Sequence, residues 1–145
     1  IRRIPRNRRI YLPSMKYSSK RIIDILGKIK ILSHQNVGHE ICGFIGKKDG
    51  KYVLESATNI STDIKNYFCV DPVQYLLFKN KYNLLMCYHS HIVGDESFSE
   101  FDIVMSENSC IPFLVYALNT QKFNIYSPKT SESDVNIVER FKERI

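Results

Sequence analysis

The sequence lacks any apolar run near the roughly 20 residues that a membrane-spanning helix needs. It has no internal repeat or low-complexity stretch, and no apolar leader follows Ile1. These absences exclude a membrane span and a fibrous chain, and a start at Ile rather than Met is typical of a trimmed piece. The length of 145 residues, with 43% hydrophobic and 25% charged residues, indicates one soluble globular domain.

Close cysteine pairs are also missing. Cys42, Cys69, Cys87 and Cys110 are widely spaced and none forms a CxxC pair, which excludes a zinc ribbon and a thioredoxin motif. Because no secretory signal is present and the chain is long enough for a core, we expect these thiols to be reduced and mostly buried. The expected location is cytoplasmic.

The first 13 residues contain no acid but carry five arginines, at positions 2, 3, 6, 8 and 9. Subtracting these from 21 basic residues leaves 16 basic against 15 acidic residues, so the net charge of +6 lies almost entirely in this segment. We predict a basic arm over residues 1–13 and a single domain over residues 14–145. We favour a solvated tail, or an arm that docks on a protein partner, over a nucleic-acid contact, because five arginines alone do not specify a ligand.

Hydrophobic periodicity and turn residues predict an α/β fold, in which a mixed β-sheet is flanked by helices. One helix, capped by Ser18 or Ser19, carries apolar residues at helical spacing, and another opens at Asp71 with Pro72 in its first turn. The first predicted helix runs from the Ser18–Ser19 cap to Ser33, and three more cover residues 72–80, 100–108 and 133–145. The predicted strands cover residues 40–46, 51–57, 67–70, 83–89, 112–118 and 122–126. The last helix is predicted to bury Val135, Val138, Phe141 and Ile145 on one face.

A His-Ser-His sequence ends the predicted apolar strand at residues 83–89. Side chains at positions i and i+2 of a strand point the same way, so His89 and His91 share a face while Ser90 points to the other. If Ser99 caps the next helix, Asp102 lies in its first turn, from which its carboxylate can reach the strand end. Two histidines and one carboxylate leave a fourth position for water, which is typical of a catalytic zinc site.

Hydrolysis at such a site also needs a base. Glu40 is the candidate, because it opens an apolar strand where a carboxylate is costly to bury without a role or a partner. Glu55 is a rival, but a solvated strand face is the favoured interpretation of its position. Cys87 is expected to be a small buried side chain and Ser97 a neighbour outside the required register.

Other polar residues near these motifs receive plainer interpretations. His39 is expected to be exposed, and His34 to be the polar end of a helix. Asp95 and Glu96 could bind a basic substrate, but such a pair usually belongs to a soluble loop.

Taken together, these motifs resemble the signature of the JAMM/MPN-plus metalloprotease family. The matching elements are His89-Ser90-His91, Ser99 and Asp102 at the family's spacing, and Glu40-Ile41-Cys42-Gly43 upstream. The resemblance covers residues 14–145 and implies the cytidine-deaminase-like α/β sandwich of JAMM/MPN domains. It also implies one zinc ion held by His89, His91 and Asp102, with Glu40 as general acid and base and Ser99 stabilising the oxyanion.

Within that family the short prokaryotic and phage JAB-domain branch is the most similar, on the segments around Asn59, 63–72 and 109–113. Members of this branch include phage tail-assembly proteins with a second cell-wall peptidase domain, for which this chain has no room. It also lacks the long insertions by which eukaryotic deubiquitinases hold ubiquitin. Ile92 and Phe98 stand where many relatives have proline, which affects substrate fit more than metal binding.

The resulting hypothesis is a zinc-dependent peptidase or isopeptidase acting on a protein or peptide. A ubiquitin-like tail, a sulfur-carrier fusion, a cell-wall peptide and a viral structural protein all remain open as substrates. The alternative is an assembly subunit that uses the same fold as a scaffold and docks through the arm. A nucleobase deaminase is disfavoured, because the HxE and PCxxC signature is absent.

Overall fold

The structure is a computed structural model that describes residues 15–64, 67–131 and 135–145. The predicted basic arm, residues 1–13, lies outside the described residues. The described part is an α/β fold with a six-stranded mixed sheet in the order β1-β3-β2-β4-β5-β6. The strands are β1 (Lys16–Ser19), β2 (Cys42–Lys48), β3 (Lys51–Ala57), β4 (Asn83–His91), β5 (Phe113–Ala117) and β6 (Lys122–Tyr126). The helices are α1 (Ile22–Gln35), α2 (Pro72–Lys81), α3 (Glu100–Ser109) and α4 (Val135–Arg144).

The centre of the sheet explains why β4 is so apolar. β4 pairs with β2 in antiparallel fashion and with β5 in parallel fashion, whereas the remaining pairs of the sheet are antiparallel. A strand with neighbours on both edges and helices on both faces has no face left for water, so a continuous apolar run suits it. This placement confirms the prediction of a buried central strand.

Two apolar clusters cover the two faces of the sheet. One contains α1 and α4 residues packed on Tyr88 and Tyr116. The other contains Phe78 of α2 and, at its edge, Met105 of α3, packed on Phe44 and the neighbouring strands. The sheet therefore lies between two helix layers, and the odd-numbered residues at the end of β4 face the α2 and α3 side.

Gly43 lies on β2 opposite Tyr88 of β4, and its lack of a side chain leaves room for the Tyr88 ring. A Cβ atom at this position would lie 2.6 Å from the hydroxyl oxygen of Tyr88, which is fully buried. No larger residue fits there without moving a core side chain. The glycine of the Glu40-Ile41-Cys42-Gly43 motif is thus required by packing.

The first helix begins later than predicted. Ser18 and Ser19 belong to the short edge strand β1, which the sequence analysis missed, and the N-cap residue of α1 is Arg21. The Ser19 hydroxyl still supports the helix start, since it accepts a hydrogen bond from the Arg21 backbone N–H and donates one to Asp24. The predicted apolar face of the helix is confirmed, because all five of its residues are buried; they are Ile22, Ile25, Leu26, Ile29 and Leu32.

Three further predictions need correction. The predicted strand at residues 67–70 forms a single bridge between Asn59 and Val70. The predicted strand over 40–46 begins two residues later, so Glu40 precedes β2. The buried face of α4 consists of Ile137, Val138 and Phe141, whereas Val135 and Ile145 are exposed.

The cysteines are unpaired in the part of the chain that the structure describes. All four cysteines are free; Cys42 and Cys87 are buried, whereas Cys69 and Cys110 are half-buried. Among the described helices, none combines the length and the apolar character needed to cross a bilayer.

Candidate metal centre

The two histidines of the motif converge at the end of β4. The strand extends to His91, two residues further than predicted, so both histidines belong to regular strand and project from the same face. The Nε2 atoms of His89 and His91 lie 3.2 Å apart. His89 is fully buried and His91 is 9% exposed.

Asp102 joins them from the first turn of α3. Ser99 is the N-cap, as predicted, and its hydroxyl accepts a hydrogen bond from the Asp102 backbone N–H at 3.1 Å. The Asp102 carboxylate in turn accepts from the Ser99 backbone N–H, which completes a capping box. This reciprocal pair fixes the side chain so that Oδ2 lies 3.2 Å from Nε2 of His91 and 3.4 Å from Nε2 of His89.

The three atoms have the spacing of ligands around one metal ion. Bonds of 2.0–2.1 Å at a tetrahedral centre place neighbouring ligand atoms about 3.3–3.4 Å apart. The observed separations of 3.2, 3.2 and 3.4 Å fit this requirement without movement of any side chain. The buried group of His89, His91 and Asp102 could therefore hold a metal ion.

Backbone contacts prepare His91 for this role. Its Nδ1 atom lies 2.9 Å from the carbonyl oxygen of Asp95, which can only accept, so Nδ1 donates and the neutral ring presents a lone pair at Nε2. Burial lowers the pKa of His91, but hydrogen bonds to Asp102 and to the Asp95 backbone outweigh it and leave the pKa raised. A proton or a metal ion can occupy the same lone pair.

The pKa values of His89 and Asp102 are both lowered, but for different reasons. Burial lowers the pKa of His89, which favours the neutral, ligating imidazole. It would raise the pKa of Asp102, but hydrogen bonds from both histidines dominate and hold that pKa far below its ordinary value. A metal ion bound at Nε2 would displace the protons of these hydrogen bonds, and the resulting set of one carboxylate and two imidazoles suits a divalent cation.

Aromatic rings hold the His89 ring in place. Phe68 is stacked on it with ring centroids 4.1 Å apart, and Phe113 meets it edge-on at 5.9 Å. The Nδ1 atom of His89 is buried and has no hydrogen-bond partner among the described residues. No hydrogen bond at Nδ1 orients this ring, which is held by the aromatic packing and by the contacts of Nε2 with His91 and Asp102. The sequence analysis did not identify Phe68, since a lone aromatic carries no motif.

Glu40 lies beside the group and is 4% exposed. It lines a cleft of about 320 Å³ together with His91 and Ser99. Burial raises the pKa of Glu40 to about 8, and the positive charge of a protonated His91 opposes this. A carboxylate with a pKa near neutrality can both accept and return a proton.

A network of hydrogen bonds fixes the backbone of Glu40. Its N–H donates to the Ile64 carbonyl at 2.7 Å, and its carbonyl accepts from the Asn59 side chain at 2.9 Å. The next residue, Ile41, donates its N–H to the Ser90 hydroxyl at 2.9 Å. Ser90 thus faces away from the histidines, as predicted, and ties the segment that carries Glu40 to the strand that carries them.

Asn59 was not identified as a site residue from the sequence. Its buried side chain also donates to the Tyr67 carbonyl and accepts from the N–H groups of Ser61 and Cys69. It therefore holds both Glu40 and the segment that carries Phe68. The distant partners of Asn59 follow from the tertiary fold and have no local sequence signal.

The alternative candidates Ser97, Glu55 and Cys87 do not belong to the group of converging ligands. Ser97 lines the cleft, but its backbone N–H is bound to the Asp95 side chain. Glu55 lies on β3, with one buried carboxylate oxygen that has no partner among the described residues. Cys87 is buried on the same face as His89 but is not one of the converging ligands.

The two remaining histidines differ from each other. His39 is half-buried, and its Nε2 has no hydrogen-bond partner within the described ranges, so the expectation that it is exposed was wrong. His34 lies in the last turn of its helix, as expected, and Nε2 is 2.7 Å from the Tyr116 hydroxyl.

Comparisons with known proteins add a likeness of fold. No family model matches the chain, and no curated protein matches it. A Desulfitobacterium hafniense protein, solved in solution by a structural-genomics consortium, is similar with a TM-score of 0.54 and 20% sequence identity. The match covers 73% of this chain and 82% of that one. At this identity the likeness describes the fold alone.

Proposed function

We propose that the chain is a zinc-dependent peptidase or isopeptidase of the JAMM/MPN-plus type. The observation that carries the proposal is the triangle of Nε2, Nε2 and Oδ2 atoms with sides of 3.2–3.4 Å, with Glu40 and Ser99 in the adjoining cleft. The six-stranded mixed sheet between two helix layers is compatible with the sandwich of that family. Zinc is favoured because two imidazoles and one carboxylate at tetrahedral spacing form its usual catalytic ligand set.

The ion would be held by His89, His91 and Asp102. When bound, zinc would supply Lewis-acid polarisation of a carbonyl and would lower the pKa of a water molecule. The capping box keeps Asp102 in place, and the bond from His91 Nδ1 to the Asp95 carbonyl keeps Nε2 directed at the other two ligands. These contacts hold the ligand set in position before the ion binds.

Glu40 would move the proton. Its carboxylate takes a proton from the attacking water and delivers it to the amide nitrogen as the C–N bond breaks. Burial raises the pKa of Glu40 to about 8 in the metal-free protein, and the positive charge of a bound zinc ion would lower this pKa towards neutrality, where a carboxylate can take up and return a proton. Ser99 accepts a hydrogen bond from the Asp102 N–H through its oxygen, which leaves its O–H free to donate to the developing oxyanion.

The cleft supports a peptide rather than a small polar substrate. Val93 and Phe98 line it beside Glu40, and Val93 is 65% exposed. An apolar wall next to a carboxylate and a hydroxyl suits an extended chain with an apolar side chain near the scissile bond. The scaffold alternative depends on residues 1–13, for which the described structure offers no observation.

Hydrolysis of a complex peptide mixture tests the proposal. The zinc-loaded protein and its Glu40→Gln variant are incubated with tryptic peptides of a bacterial lysate, and new termini are read by mass spectrometry. We expect the wild type to create termini that the variant does not. Equal cleavage by both, at equal zinc content, would refute the role of Glu40.

A further inference from the structure

A second cleft lies at the opposite end of the sheet from the metal centre. It has a volume of about 470 Å³, and Tyr52 lies within its lining. Tyr52 pairs with Lys47 beside the β2–β3 turn, whereas His89 pairs with Cys42 at the other end of β2. The two clefts share no lining residue.

The lining of this cleft is strongly basic. Lys20 and Arg21 line it from the start of α1, and Arg140 and Arg144 line it from α4, against one acid, Glu143. Four positive charges and one negative charge give a local net charge of +3. Within the part of the chain that the structure describes, none of these four cations forms an ion pair.

The neighbouring charges do not neutralise the cleft. On α4 the acid Glu139 pairs with Lys142 at 3.3 Å, and Lys142 does not line the cleft. The amine of Lys47 lies 5.1 Å from the centre of the Tyr52 ring, which brings a further cation to the same end of the sheet. Asp24, in the first turn of α1, accepts a hydrogen bond from the Ser19 hydroxyl and does not line the cleft. Cations that line one cleft repel one another, and an anion between them would relieve the repulsion.

The charge and the arginine side chains of the cleft favour a phosphate over a carboxylate. Arginine presents a planar fork of donors that matches phosphate oxygens, and a phosphate monoester carries about −1.5 to −2 charges, which offsets +3 better than one carboxylate does. The volume lies within the range of small-molecule sites. Ile22 and Ile23 supply an apolar wall beside the cations.

Nucleic acid is a poorer fit to this cleft. Single strands bind where bases stack on accessible aromatic rings along a basic groove. The aromatic residue in the lining, Tyr52, is only 5% exposed and packs edge-on against Phe141. We infer that this cleft binds a small phosphate-bearing molecule, with its phosphate on Arg21, Arg140 and Arg144 and its organic part against Ile22 and Ile23. This inference is independent of the proposed peptidase activity.

Calorimetric titration of the full chain tests the inference, with ADP, inorganic pyrophosphate and a ten-nucleotide single-stranded RNA as probes. We expect ADP and pyrophosphate to bind. Tighter binding of ADP would show a contribution from the organic part, and equal binding would show that the phosphates suffice; both results support the site. Failure of both probes to bind would overturn it.

Matched variants locate the binding. The Arg140→Gln/Arg144→Gln double variant should bind ADP at least about tenfold more weakly, because charge-assisted hydrogen bonds are lost. The Lys20→Gln/Arg21→Gln double variant removes the cations at the start of α1 and should also weaken ADP binding. It replaces the first variant in the test if that variant does not fold. Lys142→Gln, on the same helix but outside the cleft, should bind as the wild type does.

A final variant separates the cleft from the basic arm. Replacing the arginines at positions 2, 3, 6, 8 and 9 by glutamine should leave ADP binding unchanged. Unchanged ADP binding by both cleft variants would place the anion contacts outside the cleft, and loss of ADP binding in the arm variant alone would place them on the arm. Either result would refute the inference.

Discussion

The Oδ2 atom of Asp102 lies 3.2 Å from Nε2 of His91 and also accepts the backbone N–H of Ser99. One carboxylate oxygen therefore caps a helix and completes a candidate ligand set. This double role ties the geometry of the metal group to the first turn of α3. A shift of that helix would move the ligand, so fold and site are specified by the same residues.

The first prediction concerns Glu40 and pH. In the metal-free protein, burial raises the pKa of Glu40 to about 8, from an ordinary value of 4.5. Between these values the folded state holds a proton that the unfolded state has released, so this group makes the free energy of unfolding fall as pH rises through the window. Glu40→Gln removes that dependence and should stabilise the chelator-treated protein at pH 9 by on the order of 2–3 kcal/mol.

Urea denaturation at pH 4.5 and pH 9 measures this difference. The variant and the wild type should be about equally stable at pH 4.5 and should differ at pH 9. Glu100→Gln, at an exposed position in the first turn of α3, controls for the loss of one negative charge. A stability difference for Glu40→Gln that is the same at both pH values would contradict the buried-carboxylate interpretation.

The second prediction separates the two roles of Ser99. Ser99→Ala should cost about 1 kcal/mol of stability through the lost cap and should also lower the rate of amide hydrolysis about 10²-fold or more. Ser99→Gly removes the same hydroxyl at a smaller capping cost, so it should lose the same activity while remaining nearly as stable. Ser97→Ala, in the same cleft, should retain the rate. Full activity in Ser99→Gly would show that the hydroxyl only caps the helix.

The third prediction concerns the buried amide of Asn59. Asn59→Ala removes four hydrogen bonds that join Glu40, Tyr67, Ser61 and Cys69. Because it leaves buried backbone groups unsatisfied, we expect it to lower the free energy of unfolding by about 2–4 kcal/mol, measured by chemical denaturation. Asn119→Ala removes one exposed side-chain bond, to the Gly94 carbonyl, and should have little effect. Similar stability losses in the two variants would argue against the network.

Local patterns predicted the residues that carry the candidate chemistry. The i, i+2 spacing of His89 and His91 depends on strand alternation alone, and the placement of Asp102 depends on a helix register that begins at Ser99. Both are short-range rules, and the structure follows them. The helical spacing of Ile22, Ile25 and Ile29 predicted the buried face of α1 for the same reason.

Features that depend on distant partners were missed or misplaced. Strand β1 has four residues with alternating exposure and exists because it pairs with Glu55–Tyr52 of β3, which its own sequence does not reveal. Within 67–70, Phe68 instead stacks on His89 and Val70 packs against the core, whereas Tyr67 is exposed and lies against Phe101. In α4, Val135 at the first position and Ile145 just after the last are exposed, so burial is confined to Ile137, Val138 and Phe141 inside the helix.

Metal content tests the central claim most directly. Elemental analysis of the purified protein, after reconstitution with zinc and removal of free metal, should find about one zinc per chain. His91→Ala and Asp102→Asn should each retain little, because either change leaves two ligands, whereas Glu100→Gln and Glu40→Gln should retain the wild-type amount. Circular dichroism must show that each variant is folded. Absence of zinc from the folded wild type, or full zinc content in folded Asp102→Asn, would contradict the assignment of His89, His91 and Asp102 as a metal centre.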